Sequence, residues 1–334
     1  MKRAAALFAA LVMLIMAQSC ASSEKTAYFF AIDTYMSIKA YGGGDAVERA
    51  ETLVFELERK LSATDGASEI SAVNSAGSAK VSQETAELVT STLSLCELSG
   101  GALDISVYPV TRAWGFTTGD YRVPQEAELE ELLRLVDYTK VTVSGDTVTL
   151  GEGMLIDLGA VAKGYAGDRV TALLRSSGVK SALINLGGNV QCLGRKPDGS
   201  RWKIGVQDPS GSGYVGVIEA EDEAVVTSGG YERYFELDGK TYWHIIDPSD
   251  GRPADSGIIS VTVVGASGLA CDGVSTALFV MGKEKASELW RENGGFEVVF
   301  VTESGEIIIT EGLSGRFTPS GGREVSEVIR RNEN

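Results

Sequence analysis

The chain has a single histidine among its 334 residues, His244, and only four cysteines, and its 30 lysines and arginines face 46 aspartates and glutamates. Each scarcity excludes something. A formal net charge of −16 leaves no basic field to displace condensed counterions, so a nucleic-acid partner is excluded. An anionic ligand then needs local help, from a metal or a helix N-terminus. Once Cys20 is set aside as the residue that follows a leader, Cys96, Cys192 and Cys271 remain, far apart and without C-x-x-C spacing. Neither a disulfide framework nor a zinc site is indicated, and buried thiols are expected. With one histidine, a Ser-His-Asp hydrolase would have to centre on His244, where nothing presents a serine elbow.

Length allows a large core, in one big domain or two interlocked ones. Residues 1–19 read as a targeting segment: Lys2 and Arg3 are followed by an apolar stretch over 4–17, short for a bilayer span, and then by Gln18, Ser19 and Cys20. This resembles a bacterial lipoprotein signal with Cys20 as the lipidated mature N-terminus, although Ala17 stands where such signals usually carry leucine. Cleavage by an ordinary signal peptidase is the alternative. Either way the mature protein is expected outside the cytoplasm, and a lipid would hold it on the periplasmic side of a bacterial membrane or at the cell surface. Residues 20–27 are expected as a linker, 28–312 as the functional domain and 313–334 as a polar, frayed tail.

Residues 28–41 alternate well enough for a first strand. Asp45 and Glu48 have capping-box spacing, and Val47, Ala50, Val54, Leu57 and Leu61 make an apolar stripe at helical period. A polar loop follows over 62–74, with a short helical turn near Ser68 or Glu69. Further helices are expected over 83–99, stopped by Gly100 and Gly101, and from Pro124, with Leu129, Leu132, Leu133 and Val136 inward. Residues 141–150 read as a hairpin turning at Gly145 and Asp146. Residues 154–158 read as a buried strand that feeds Asp157 to a helix start at Gly159 or Ala160, whose buried face is Ala162, Ala166, Val170 and Leu173. Short strands fill 181–264, a helix kinked near Gly282 fills 270–293, and a hairpin closes over 298–310. Helices and strands are segregated without regular β-α alternation, so an α+β class is favoured.

The stretch 227–253, TSGGYERYFELDGKTYWHIIDPSDGRP, holds His244. Asp238 and Gly239 form a turn pair, so 231–237 and 241–246 read as a hairpin; the Asp, Pro and Gly residues beyond cannot continue a ladder. The return strand therefore delivers His244 and Asp247 to the mouth of a loop. A lone histidine on a strand is, by itself, as readily structural. Three other stretches shift the balance: IDLGAVAKGYAGD (156–168), INLGGN (184–189) and ACDGVSTAL (270–278). Each sets small residues and oxygen donors beside a strand or a helix start, where phosphates and hard cations bind. The first matches neither GxxxxGK(S/T) nor a strand-following GxGxxG. In the last, Asp272 and Thr276 are four apart and share a helical face, which suits Mg²⁺; a simple cap at Asp272 is the alternative.

Together these blocks resemble the successive blocks of the ApbE family, the FAD:protein FMN transferases. IDTYMSIKAYG (32–42), LSATDGASEISAVN (61–74) and GALDISVYPVTRAWGF (101–116) fall in family order too, so the resemblance covers roughly residues 28–310. It implies an α+β, T-fold-like architecture of two interlocked lobes with FAD in the cleft between them. It also implies an enzyme that splits the FAD pyrophosphate with Mg²⁺ and passes FMN to a threonine hydroxyl of an acceptor flavoprotein, AMP leaving. By matching motif, Ala160 (through its carbonyl), Asp272 and Thr276 would hold the metal. Ile32, Ala102, Leu103, Asp104, Asp157 and Lys163 would line the flavin site, with Ile245 beside His244. His244 is expected as the base for the incoming hydroxyl, its imidazole pKa of about 6.5 being suited to that task, with Asp272 as second choice. Two departures stand out: IDT at 32–34 where many members read MGT, and Thr64 where many carry an aromatic, whose loss would weaken FAD stacking by about 1 kcal/mol. An FAD pyrophosphatase and a flavin-binding lipoprotein without turnover are the rival readings. The family's acceptors carry a motif like D-G-x-T-(S/G)-A-T, and 272–278 reads DGVSTAL with Ser275 at the acceptor position; those residues are better used as a metal loop.

Overall fold

Ile32 (φ 46°) and Asp33 (φ 55°) both take left-handed backbone conformations and turn the chain back on itself. The computed structural model describes residues 23–331, so the leader and Cys20 lie outside the described residues. The expected single strand over 28–41 is a hairpin, β1 (Glu24–Ala31) against β2 (Thr34–Tyr41), in register from Glu24↔Tyr41 to Ala31↔Thr34. A two-residue loop with both φ positive matches the strand twist, and the aspartate accepts it far more readily than the β-branched isoleucine. Because β1 begins at Glu24, half of the expected 20–27 linker is ladder.

Next comes α1 (Ala46–Leu61), whose buried stripe is Val47, Ala50, Val54, Leu57 and Leu61 as the periodicity predicts. Its capping box does not form: Asp45 makes no side-chain cap and pairs with Arg49 at 3.2 Å. The loop that follows contains a full short helix, α2 (Glu69–Ala76), capped by the Ser68 hydroxyl and ended by Gly77 in the left-handed region. β3 (Ser78–Lys80), α3 (Gln83–Leu98), α4 (Tyr108–Ala113), α5 (Glu126–Leu133), β4 (Thr142–Ser144) and β5 (Thr147–Thr149) complete this half. Residues 154–158 join no sheet. Their partners are side-chain and loop groups, since Asn74 brackets Ile156 with two 2.8 Å hydrogen bonds and Asp157 N–H donates to the Ile105 carbonyl at 2.9 Å. An apolar run alone could not distinguish that from a ladder.

α6 (Gly159–Ser176) buries Ala162, Ala166, Val170 and, in place of the expected Leu173, Leu174. Then come β6 (Ala182–Leu186), β7 (Asn189–Leu193), β8 (Trp202–Gln207), β9 (Tyr214–Ala220), β10 (Ala224–Gly229), β11 (Tyr234–Leu237), β12 (Lys240–Trp243), β13 (Ile258–Gly265), α7 (Gly268–Glu292), β14 (Phe296–Thr302), β15 (Ile307–Thr310), β16 (Phe317–Pro319) and β17 (Val325–Ile329). Nine strands form one sheet in the order β1-β2-β6-β7-β10-β13-β14-β15-β17, antiparallel except for the β15·β17 pair. The mixed α+β class is as expected. Over its described part, 313–331, the tail is not frayed: β17 closes the sheet edge, and Leu313, Phe317 and Ile329 are buried in the core. Three β-branched residues, Val325, Val328 and Ile329, in an apparently polar segment accompany this extension of the ladder.

α6 and α7 cross in contact, and α7 lies against β10 and β13. Glycines permit the crossing, because a Cβ on Gly164 would stand 2.1 Å from the Gly268 carbonyl oxygen. Asp168 of α6 also caps α7, accepting from Ser267 Oγ (3.0 Å), Gly268 N (2.7 Å) and Leu269 N (3.0 Å). The three described cysteines are free and buried.

Candidate active site

A cleft of about 460 Å³ opens where these elements meet, within the range of small-molecule sites. Ile32 reaches it from the tip of the first hairpin and Thr64 from the loop after α1. Ala102, Leu103 and Asp104 line it from the turn after α3, Asp157, Ala160 and Lys163 from the start of α6, His244 and Ile245 from the end of β12, and Asp272 and Thr276 from α7. The structure thus brings every sequence-predicted site residue to one place.

Their chemical states differ. Asp104 is fully engaged: Oδ1 accepts from Ser106 N (2.7 Å) and Ser106 Oγ (2.6 Å), and Oδ2 from Tyr138 N (3.0 Å). It shapes the wall rather than offering a free carboxylate. Asp157 accepts from Gly159 N at 2.7 Å, which uses the first free amide of α6. Burial pushes the Asp157 carboxyl above its ordinary range, against the pull of the Arg233 and Lys163 charges. Glu232, across the cleft, is raised by burial too, with Lys163 opposing.

Asp272 is 5 % exposed. Its Oδ2 accepts from Gly164 N at 2.8 Å, fixing the side chain to α6. Burial raises its pKa and Lys163 lowers it; a desolvated carboxylate of this kind calls for a positive partner. Asn189, 1 % exposed, stands beside it and helps to hold its carboxyl down. Thr276 Oγ1 lies 3.4 Å from the Asp272 carbonyl and 3.3 Å from Ser228 Oγ. One carboxylate, one hydroxyl and a helix-start carbonyl are hard donors, and among the described residues no group of three His, Cys, Asp or Glu competes for a softer metal. Such a set fits a cation that keeps water or phosphate oxygens in its remaining positions. Ser275, the residue in the acceptor-like position, is fully buried and bonded to Ser228 Oγ (2.8 Å) and the Asp272 carbonyl (2.9 Å), so it is closed to modification.

His244 follows β12 directly, after the predicted turn at Asp238 and Gly239. Its backbone N–H donates to the Arg233 carbonyl at 3.0 Å, and its Nδ1 lies 3.1 Å from the same oxygen. A carbonyl only accepts, so Nδ1 carries the proton and Nε2 keeps its lone pair. The expected unperturbed imidazole is corrected here: burial, helped by the Arg233 guanidinium, pushes the pKa down to about 4. An aromatic stack of Tyr121, Phe235 and Tyr242, with centroids 5.1 Å apart, braces the hairpin, and Phe116 meets the His244 ring edge at 6.4 Å. Trp114 adds a 2.8 Å bond to the Gly251 carbonyl.

Sequence reasoning missed several cleft residues. Glu58 accepts from the strained Ile32 N at 2.7 Å, and Arg233, Glu232 and Ser228 line the cleft from within the histidine-bearing stretch. For the last three the only signal was their membership of that block, and for Glu58 there was none.

The ApbE family model matches residues 32–300. Among curated relatives, an FAD:protein FMN transferase of Treponema pallidum is 35 % identical, over 84 % of this chain and 84 % of that protein. One from Klebsiella pneumoniae is 33 % identical, over 84 % of this chain and 90 % of its own. Among solved structures, the ApbE protein of Thermotoga maritima superposes with a TM-score of 0.84 at 34 % identity, over 88 % of this chain and 99 % of that one. The Pseudomonas stutzeri flavinyl transferase ApbE gives 0.81 at 28 % identity, over 90 % and 99 %. Matched along most of its length in both sequence and fold, the chain belongs to the ApbE family.

Proposed function

We propose that the cleft is the active centre of an FAD:protein FMN transferase, with FAD between two interlocked, T-fold-like lobes and a threonine hydroxyl of an extracytoplasmic flavoprotein as acceptor. The observation that carries this reading is the convergence of the seven motif-bearing segments on one cleft around a buried carboxylate.

Asp272, Thr276 and the Ala160 carbonyl are the residues that would hold Mg²⁺, which supplies charge neutralisation at the pyrophosphate and at the departing oxygen. Lys163 and Arg233 add fixed positive charge along the same wall. His244 Nε2 accepts the proton of the acceptor hydroxyl as that oxygen bonds to the FMN phosphorus. The bond from this phosphorus to the bridging oxygen breaks, and AMP leaves with the oxygen. A ring whose pKa is near 4 is unprotonated throughout the neutral range and takes the proton only as the nucleophile commits to phosphorus. Anchoring through Cys20 would hold the cleft beside acceptors on the same membrane face.

The test is mass spectrometry of purified protein incubated with FAD, Mg²⁺ and an acceptor bearing a D-G-x-T-(S/G)-A-T-like segment. An FMN adduct on the threonine with AMP released is expected. Free FMN with AMP and no adduct would indicate a hydrolase, and unchanged FAD would indicate a flavin-binding protein.

A further inference from the structure

Ser228 lies on β10, in the TSGG run, and its hydroxyl meets two others from α7: Ser275 Oγ at 2.8 Å and Thr276 Oγ1 at 3.3 Å. It also lines the cleft. A hydroxyl that ligates a cation must turn a lone pair towards it, and its proton must go elsewhere. Two oxygens are within reach of the Thr276 proton: the Asp272 carbonyl at 3.4 Å and Ser228 Oγ. The carbonyl already receives the Ser275 proton at 2.9 Å. Ser275 is fully buried, so water does not compete for its oxygen, and that oxygen is left to accept from Ser228.

The protons then have one consistent order. Thr276 donates to Ser228, Ser228 to Ser275, and Ser275 to the Asp272 carbonyl. The reverse sense would place the Ser228 proton on Thr276 and turn the threonine proton into the cleft, towards the cation.

We propose that Ser228 is a positioning residue for the metal site, which sets the Thr276 hydroxyl with its lone pairs facing the cleft. The inference rests on the reading of Thr276 as a metal ligand. Without Ser228, the threonine proton has only the long contact to a carbonyl that is already occupied, and the hydroxyl is free to rotate. The fold does not depend on Ser228 in the same way, because Ser275 keeps its bond to the Asp272 carbonyl.

The probe is Mn²⁺ alone, titrated into the full mature chain and read by water-proton relaxation, with thermal melts to confirm folding. Outer-shell losses of this kind cost roughly 10-fold to 100-fold in metal affinity. Ser228→Ala is expected to weaken Mn²⁺ binding by about that factor with an unchanged melt, Ser228→Thr to restore it, and Ser228→Ala added to Thr276→Val to cost nothing beyond Thr276→Val. If Thr276→Val weakens Mn²⁺ binding while Ser228→Ala does not, the proton order is wrong and Thr276 remains a ligand. If Thr276→Val binds Mn²⁺ like the wild type, both readings fall. Failure of Ser228→Thr to recover any affinity would also overturn the proposal, since the hydroxyl is what it supplies.

Discussion

Replacing His244 by glutamine removes the only imidazole and should leave a pH signature whose sign follows from the structure. The free imidazole titrates near 6.5 in the unfolded chain, and near 4 in the fold. The gap corresponds to at most about 3 kcal/mol against charging the half-buried ring. A depressed folded-state pKa means that the stabilisation is complete above pH 6.5 and is lost as pH falls through 6.5 towards 4, where the unfolded chain takes up the proton first. Asp157, Glu232 and Asp272 have raised values and work in the opposite direction, so wild-type curves alone would mix the effects. The difference between wild type and His244→Gln isolates the ring. Urea unfolding at pH 7.5, 6 and 4.5 should show wild type losing up to about 3 kcal/mol relative to the variant across that span. Because there is no second histidine, NMR of a tag-free protein reads the ring directly. In transfer assays His244→Ala should retain FAD and slow the reaction by about 10² to 10⁴. A ring that titrates near 6.5, or a stability difference that stays flat with pH, would refute the half-buried neutral imidazole; a near-normal transfer rate would move the search for the base to Asp272.

Asp272→Asn should abolish Mg²⁺-dependent transfer and Thr276→Val should mainly raise the Mg²⁺ requirement, because the carboxylate is the sole formal charge among the proposed ligands; near-normal turnover by Asp272→Asn at low Mg²⁺ would remove the assignment. Gly282→Ala should destabilise by about 1–3 kcal/mol in urea melts, since the kink in α7 holds φ 75° and ψ 172° and an added Cβ would stand 3.2 Å from the Ser256 carbonyl oxygen. Deleting residues 313–331 should lower the melting temperature and promote aggregation measured by light scattering, because it strips β17 from β15 and removes the buried Leu313, Phe317 and Ile329, each worth about 1.5–3 kcal/mol.

The sequence was most informative where local chemistry and tertiary need agree. The α1 stripe, the Asp238 and Gly239 turn, the β4·β5 and β14·β15 hairpins and the α7 kink at Gly282 each have a residue-level cause that acts over a few positions. The misses lie where a distant partner decides. Asn74 holds Ile156 without a ladder and β15 recruits a segment that reads as a polar tail; Asp45 is a local exception, drawn out of its cap by Arg49 one turn on. At the site, motif order identified the residues but not their states. That Asp104 is spent on Tyr138 as well as on nearby Ser106, or that His244 is pressed towards pH 4 by burial, depends on how the chain packs around each side chain.

The bond from Gly164 to Asp272 and the cap from Asp168 to the start of α7 make two helices, roughly a hundred residues apart in sequence, a single heritable unit. A chimera of two family members with one crossover between residues 168 and 267 mates α6 of one parent with α7 of the other, and a shift of a few tenths of an ångström at the glycine crossing is enough to misplace the carboxylate. Parents exchanged as a block over 156–282 keep the pair together. Recombination libraries of this family should therefore recover functional members only when both helices descend from the same parent.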